Sequence, residues 1–165
     1  MILGKTPNQN LPIILCADMN SLLDSGAIEF LEKGRISVNH PDFQKLAYSG
    51  FFSRHMEKEN GKKATELTHP FKIKRAGEEN TLPFTNFTYE FTGILDYIFY
   101  SHEMMLPLGE LGRVDQDYLA KNKVIGFPHP HFPSDHIPLV VEFEYTNTNL
   151  AKPPTSASPV TGYPR

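Results

Sequence analysis

The chain has 165 residues, 39% of them hydrophobic, and 16 basic against 19 acidic side chains give a net charge of −3. That length allows one ordinary domain, and the missing positive field excludes a protein that holds nucleic acid by bulk charge, though not an enzyme that grips phosphate locally. The single cysteine, Cys16, cannot form an internal disulfide, and no apolar run near Met1 has the length of a signal peptide or membrane span, so a soluble intracellular protein without a membrane partner is expected.

Residues 12–17 form an apolar run rich in β-branched side chains, which predicts a strand with both faces covered. It stops at Asp18 and Asn20, polar residues where a strand leaves its sheet. Residues 21–26 supply a helix start with Asp24 or Ser25 as the cap. Ala27, Ile28, Phe30 and Leu31 then give a short amphipathic helix, which Gly34 ends. The pattern weakens over residues 38–74. A turn at 39–43 leads into a short helix through Tyr48, and 57–63 is a polar loop. Residues 68–71 are extended, because a residue before proline is pushed out of the helical region. A further turn is expected at 78–80.

Residues 85–91 alternate polar with apolar, the period of a half-buried strand. Gly93 breaks it, and residues 94–100 form a second strand, read as its neighbour in one sheet in the manner of a hairpin. A third strand is expected at 104–108 and a short helix at 115–121. The proline-rich stretch 128–133 cannot be helical and reads as an extended loop. It leads into Ser134-Asp-His136 and a closing strand over 137–145. Residues 146–165 hold four prolines and no core pattern, so the domain is expected over 1–145 with a disordered tail over 146–165.

Three segments place acids and imidazoles at strand ends. Asp18 and Asn20 read either as turn formers or as a carboxylate and an amide two apart that aim at one point. Asp96 is flanked by Ile94, Leu95, Tyr97, Ile98 and Phe99, and a carboxylate there needs a partner. Backbone amides, a tyrosine or a histidine to be oriented would each serve. Asp135 and His136 are neighbours on extended backbone, so they point to opposite sides. A carboxylate suits magnesium, and an imidazole suits proton transfer or contact with phosphate. The alternative is a polar loop that caps a strand. His129, His131 and His136 raise a zinc site, which the lack of compact Cys/His spacing disfavours. His40, His55, His69 and His102 read as ordinary surface or loop residues. Among the aromatic residues Phe84, Phe87, Tyr89 and Phe91, mostly core, one at a strand end could stack on a base, worth about 1–3 kcal/mol.

Taken in order, residues 15–21 (Leu-Cys-Ala-Asp-Met-Asn-Ser), 91–100 (Phe-Thr-Gly-Ile-Leu-Asp-Tyr-Ile-Phe-Tyr) and 133–138 (Pro-Ser-Asp-His-Ile-Pro) resemble the second half of the exonuclease–endonuclease–phosphatase domain. The runs 85–91 and 128–136 resemble its carbon-catabolite-repression deadenylase branch within the CCR–NOT complex. The resemblance covers roughly residues 11–145. It implies an α+β chain, the C-terminal half of a four-layer α/β/β/α sandwich. It implies magnesium-dependent 3′–5′ removal of poly(A) from messenger RNA with release of 5′-AMP, and poly(A) RNA and CCR–NOT subunits as partners. The expected place of action is the cytoplasm, with the nucleus as a second compartment.

Matched by motif, Asp18 would activate or orient water and Asn20 would contact the scissile phosphate. Asp96 would hold the His136 ring, and His136 would stabilise charge on the phosphate. Asp135 would lie on the metal side, and Phe91 would stack on an adenine. The family's first half is not represented, nor is the glutamate it carries as principal magnesium ligand, nor the upstream leucine-rich repeats of some members. The chain is therefore expected to be a fragment, inactive alone. Two other readings remain: a relative acting on 2′,5′-oligoadenylate or small nucleotides, and a non-catalytic interaction module.

Overall fold

The structure, a computed structural model, describes residues 11–45, 65–77, 82–111 and 114–146. The first apolar run forms β1 (Ile14–Asp18) and leads into α1 (Gly26–Lys33). The signals that bound α1 are local. The Ser25 side chain accepts a hydrogen bond from the Ile28 N–H, and Gly34, at φ 69°, donates its N–H to the Phe30 carbonyl. These are the N-cap and the left-handed glycine stop that residue type favours, and Ser25 rather than Asp24 is the cap. There follow β2 (Arg35–Ser37), α2 (Pro41–Lys45), β3 (Glu66–Thr68), β4 (Ile73–Arg75), β5 (Asn86–Phe87), β6 (Thr92–Gly93), β7 (Asp96–Ser101), β8 (Met105–Glu110), α3 (Gln116–Lys121) and β9 (Val141–Tyr145). The Asp115 side chain caps α3 by accepting from the Asp117 N–H.

β7 is the centre of an antiparallel sheet of order β1-β7-β4. Its register sets Ile14 opposite Tyr100 and Asp18 opposite Asp96, so two acids 78 positions apart in sequence leave the sheet at one end. Ile28, Ile73, Tyr97 and Phe99 form one buried cluster, with Met19, Leu31 and Ile94 packed against it. Each such side chain contributes about 1.5–3 kcal/mol by leaving water. A second cluster joins Phe84, Leu119, Phe127 and Ile137. It fastens α3 and the 127–137 segment to the β5 region. β8 and β9 form a separate antiparallel ribbon with a register irregularity between Pro107 and Gly109.

Several expectations are corrected. β1 is not covered on both faces: Ile14 is 49% and Leu15 37% exposed, and Cys16 is exposed. An apolar run signals that some surface is to be covered, but not by which segment. Among the described residues β1 pairs with β7 alone. Residues 85–91 are not one strand. The Thr88 N–H donates to the Phe91 carbonyl at 2.7 Å, and the Phe91 N–H donates to Thr88 Oγ1 at 3.0 Å. The threonine hydroxyl thus closes a turn inside the alternating run. β5 pairs with β6, whereas β7 pairs with β1 and β4.

Nor is 128–133 extended. After a cis Phe127–Pro128 bond, His129 and Phe132 exchange both backbone hydrogen bonds, at 2.7 and 2.8 Å. Proline excludes helix but leaves turns open. The closing strand begins at Val141 rather than Ile137, because the Ile137 N–H is already committed to the Thr85 carbonyl. His69 is not an ordinary loop residue. Its Nε2 donates to the Phe30 carbonyl at 2.9 Å and its Nδ1 accepts from the Phe71 N–H, so it ties down the end of α1. The expected loop at 57–63, the turn at 78–80, residues 46–48 of the second helix and residues 147–165 of the tail lie outside the described residues.

Gly126 shows why the turn at 88–91 is held firmly. A Cβ there would stand 2.5 Å from the Tyr89 nitrogen and 2.7 Å from the Thr88 carbonyl carbon. Backbone cannot yield as a side-chain tip can. Gly126→Ala is expected to cost about 1–3 kcal/mol of stability, read as a lower urea midpoint. An unchanged midpoint would mean that the two segments have room to part.

Candidate active site

Asp18 closes β1 and Asp96 opens β7, and the strand register brings them face to face. The Met19 N–H donates to the Leu95 carbonyl at 2.8 Å, which extends this pairing by one step. Asn20 then takes φ 44°, a left-handed conformation that asparagine tolerates better than most residues. Its N–H donates to Asp18 Oδ1 at 2.9 Å and its Nδ2 to Asp18 Oδ2 at 3.4 Å. Asp18 and Asn20 are therefore brought together, and both are exposed. Tyr97 anchors the loop from below. Its hydroxyl lies 2.6 Å from the Ser21 carbonyl and 3.0 Å from that of Ile94. Burial pushes its pKa up to about 12, so it remains a donor throughout the usable pH range.

The imidazole arrives from the far end of the chain. His136 Nδ1 lies 2.7 Å from Asp96 Oδ2, with both side chains half-buried. Asp96 is thus neither unpaired nor satisfied by a tyrosine. It is a histidine's partner, one of the alternatives its apolar flanks left open. The hydrogen bond to Asp96 raises the His136 pKa above its ordinary 6.5. Burial opposes this, and the charges of Asp96, Asp135 and Asp18 add to it. One donor atom from each of Asp18, Asp96 and His136 lies within 4.8 Å of the others. Among the described residues this is the one group of acid, cysteine or imidazole donors that could hold a metal ion.

Asp135 is not among those donors. Its Oδ2 accepts from Asn86 Nδ2 at 3.2 Å, and its charge acts on the His136 ring from nearby. The donors that the structure gathers within reach of one ion are those of Asp18, Asp96 and His136. Phe91 lies at the turn, 37% exposed. A Cβ on Gly93 would stand 2.8 Å from Phe91 Cζ and 3.1 Å from Leu22 Cδ2. Its ring therefore rests over a glycine and beside Leu22, close in sequence to Asn20. His129 and His131 do not turn toward the acids. Both rings pack on Tyr118, whose hydroxyl is bonded to His131 Nδ1. Tyr97, Thr85 and Asn86 escaped the sequence reading. Tyrosine and threonine in a strand are ordinary residues, and only their long-range partners distinguish them.

No protein-family model matches the chain. It is 46% identical over 137 residues to CCR4-NOT transcription complex subunit 6-like of Danio rerio, covering 82% of this chain and 24% of that protein. It is 44% identical over 141 residues to subunit 6-like-A of Xenopus laevis, covering 84% of this chain and 26% of that protein. It is 45% identical over 134 residues to the CCR4-Not complex 3′-5′-exoribonuclease subunit Ccr4 of Aspergillus clavatus, covering 81% and 18%. The chain thus spans about a quarter, or less, of these relatives. Its fold is similar to that of ANGEL2, a 2′,3′-cyclic phosphatase, with TM-score 0.63 and 21% identity over 86% of this chain and 47% of that one. For the complex of ANGEL2 with adenosine-2′,3′-vanadate, the TM-score is 0.59 at 21% identity over 80% and 44%. These two likenesses are of fold, and they agree with the expected α+β architecture covering part of a larger domain. At 44–46% identity over more than four-fifths of its length, the chain is a homologue of the Ccr4-like CCR4–NOT subunits, in agreement with the resemblance that its motifs carry.

Proposed function

We propose that this chain carries the acid–imidazole half of a magnesium-dependent 3′–5′ exoribonuclease site that removes poly(A) from messenger RNA and releases 5′-AMP. The observation that carries the reading is the Asp96–His136 hydrogen bond of 2.7 Å with Asp18 gathered into the same group. In-line displacement at phosphorus needs a placed nucleophile and donors near the oxygens that gain charge. Asp18, exposed and within reach of water, orients the attacking water and accepts its proton. Asp96 holds His136 by Nδ1, so the opposite edge of the ring is free to donate to a phosphate oxygen. Asn20, at a left-handed turn beside Asp18, offers its amide to the same phosphate. Phe91, half-exposed near that loop, supplies a face on which the terminal adenine stacks.

The donor set fits magnesium in part. Carboxylate oxygens suit a hard cation that keeps water and phosphate in its shell, whereas His136 is already committed to Asp96 through Nδ1. Asp18 and the second oxygen of Asp96 would hold the ion. When bound it would neutralise charge on the phosphate and ease ionisation of the water. Two carboxylates make a sparse site, which agrees with a chain that covers 44–47% of a solved relative's length. Membership of a CCR4–NOT assembly and action in the cytoplasm and nucleus follow from the same reading.

The test joins this chain to the segment that precedes the matched region in the Danio rerio relative. The joined protein, with magnesium, should shorten a 3′ poly(A) tail one nucleotide at a time and release 5′-AMP, and EDTA should stop it. Equal hydrolysis of other homopolymers, or cleavage only of 2′,5′-linked or small nucleotides, would replace poly(A) as the substrate. No hydrolysis by a folded joined protein would remove the nuclease reading.

A further inference from the structure

The Asp96–His136 pair spans 40 positions of sequence, and something must hold its two backbones in register. Thr85 and Asn86 touch both. Thr85 is 1% exposed. Its Oγ1 accepts two backbone hydrogen bonds, from the Leu95 N–H at 2.9 Å and the Asp96 N–H at 3.1 Å. Its carbonyl accepts from the Ile137 N–H at 2.8 Å, and its own N–H donates to the Gly93 carbonyl at 3.0 Å. Asn86, 5% exposed, forms a β-bridge with His136, and its Nδ2 holds Asp135. Two consecutive residues therefore grip the amide of the acid from one side and the flanks of the imidazole from the other.

A valine would fill the volume of Thr85 nearly as well, so packing alone does not require the hydroxyl. What the hydroxyl supplies is an acceptor for two half-buried donors at the point where β7 begins. Without it both N–H groups would be left unmatched, and the start of β7 would shift to find partners. A site of this kind needs its groups held to within about 0.5 Å, and a shift of that size is enough to break a 2.7 Å hydrogen bond.

We infer that Thr85 is a positioning residue for the proposed phosphodiesterase site: its side-chain oxygen fixes the backbone of Asp96 while its carbonyl fixes that of Ile137, and together these set the Asp96–His136 hydrogen bond. The inference rests on the reading of that pair as catalytic, but its test does not use nucleotide. It uses the full chain, labelled with nitrogen-15, in EDTA. The His136 Nδ1 proton should resonate far downfield in the wild type, and the Leu95 and Asp96 amides should be protected from exchange.

In Thr85→Val that downfield signal should move upfield or vanish. The two amides should exchange about tenfold faster or more, while signals from the Ile28–Phe99 core stay in place. Thr85→Ser, which keeps the hydroxyl, should restore both. The inference is overturned if Thr85→Val keeps the downfield proton in a native spectrum. Thr85→Ser behaving like the valine variant would overturn it too, since that marks Thr85 as a packing residue, as would loss of the whole native spectrum in Thr85→Val, since that makes the hydroxyl a support of the whole fold rather than of this pair. The expected spectra combined with no hydrolysis by the joined wild-type protein would leave the positioning claim standing and sink only the nuclease reading.

Discussion

In the joined, magnesium-loaded protein, His136→Ala should lower kcat by about 10²–10³ with KM for poly(A) changed little. The ring edge away from Asp96 acts on charge that develops in the transition state, and removing one such donor costs that much. Asp18→Ala should cost about 10²–10⁴, the range for loss of a positioned general base. Both are half-buried or exposed and sit at the end of the β1–β7 pairing rather than in the Ile28–Phe99 cluster. Folding should therefore survive, as a retained urea midpoint would show. Wild-type turnover in either variant would remove that residue from the mechanism.

Asp96→Asn should act through the imidazole and, by removing one of the two carboxylates proposed to hold the ion, through magnesium binding as well. Its carboxylate is the main reason that His136 has a pKa above 6.5, and without it burial works against the protonated ring. An asparagine can turn its amide toward Nδ1 and favour the wrong tautomer, a change that costs about 10⁴ in kcat where a histidine is held this way. The stability consequence has a definite sign. The folded-state pKa of His136 is raised above the unfolded value, so folding favours the protonated ring. The resulting stabilisation is full below pH 6.5 and disappears as pH rises through the folded value. In EDTA, urea midpoints of the wild type should therefore fall between pH 5.5 and a pH above the folded value by more than those of Asp96→Asn, about these ordinary histidine bounds. An imidazole that titrates at its ordinary value in the wild type, followed by NMR, would contradict the Asp96 partnership.

Much of the local structure could be read from residue type. Ser25 and Gly34 bound α1 because capping oxygen and left-handed glycine act over four residues. Asp115 starts α3 for the same reason. The alternating run at 85–91 misled because its Thr88 hydroxyl closes a turn, and a period of two does not report where side-chain oxygens go. The Pro-rich stretch at 128–133 was rightly denied a helix, yet its His129–Phe132 turn depends on backbone pairing that proline content does not encode.

The sequence by itself determined which groups are available for chemistry, namely Asp18, Asn20, Asp96, Asp135, His136 and the ring of Phe91, and the order of motifs that carries the family resemblance. Residue identity and short spacing are local quantities, so they are legible without coordinates. Only the tertiary structure decided that Asp18 meets Asp96 through the β1–β7 register and that His136 reaches Asp96 rather than a metal group with His129 and His131. It also decided that Thr85, an ordinary strand residue by type, stands behind the pair. Those choices rest on strand register and long-range hydrogen bonds, which depend on how distant segments share one core and leave no mark on the residues next in line.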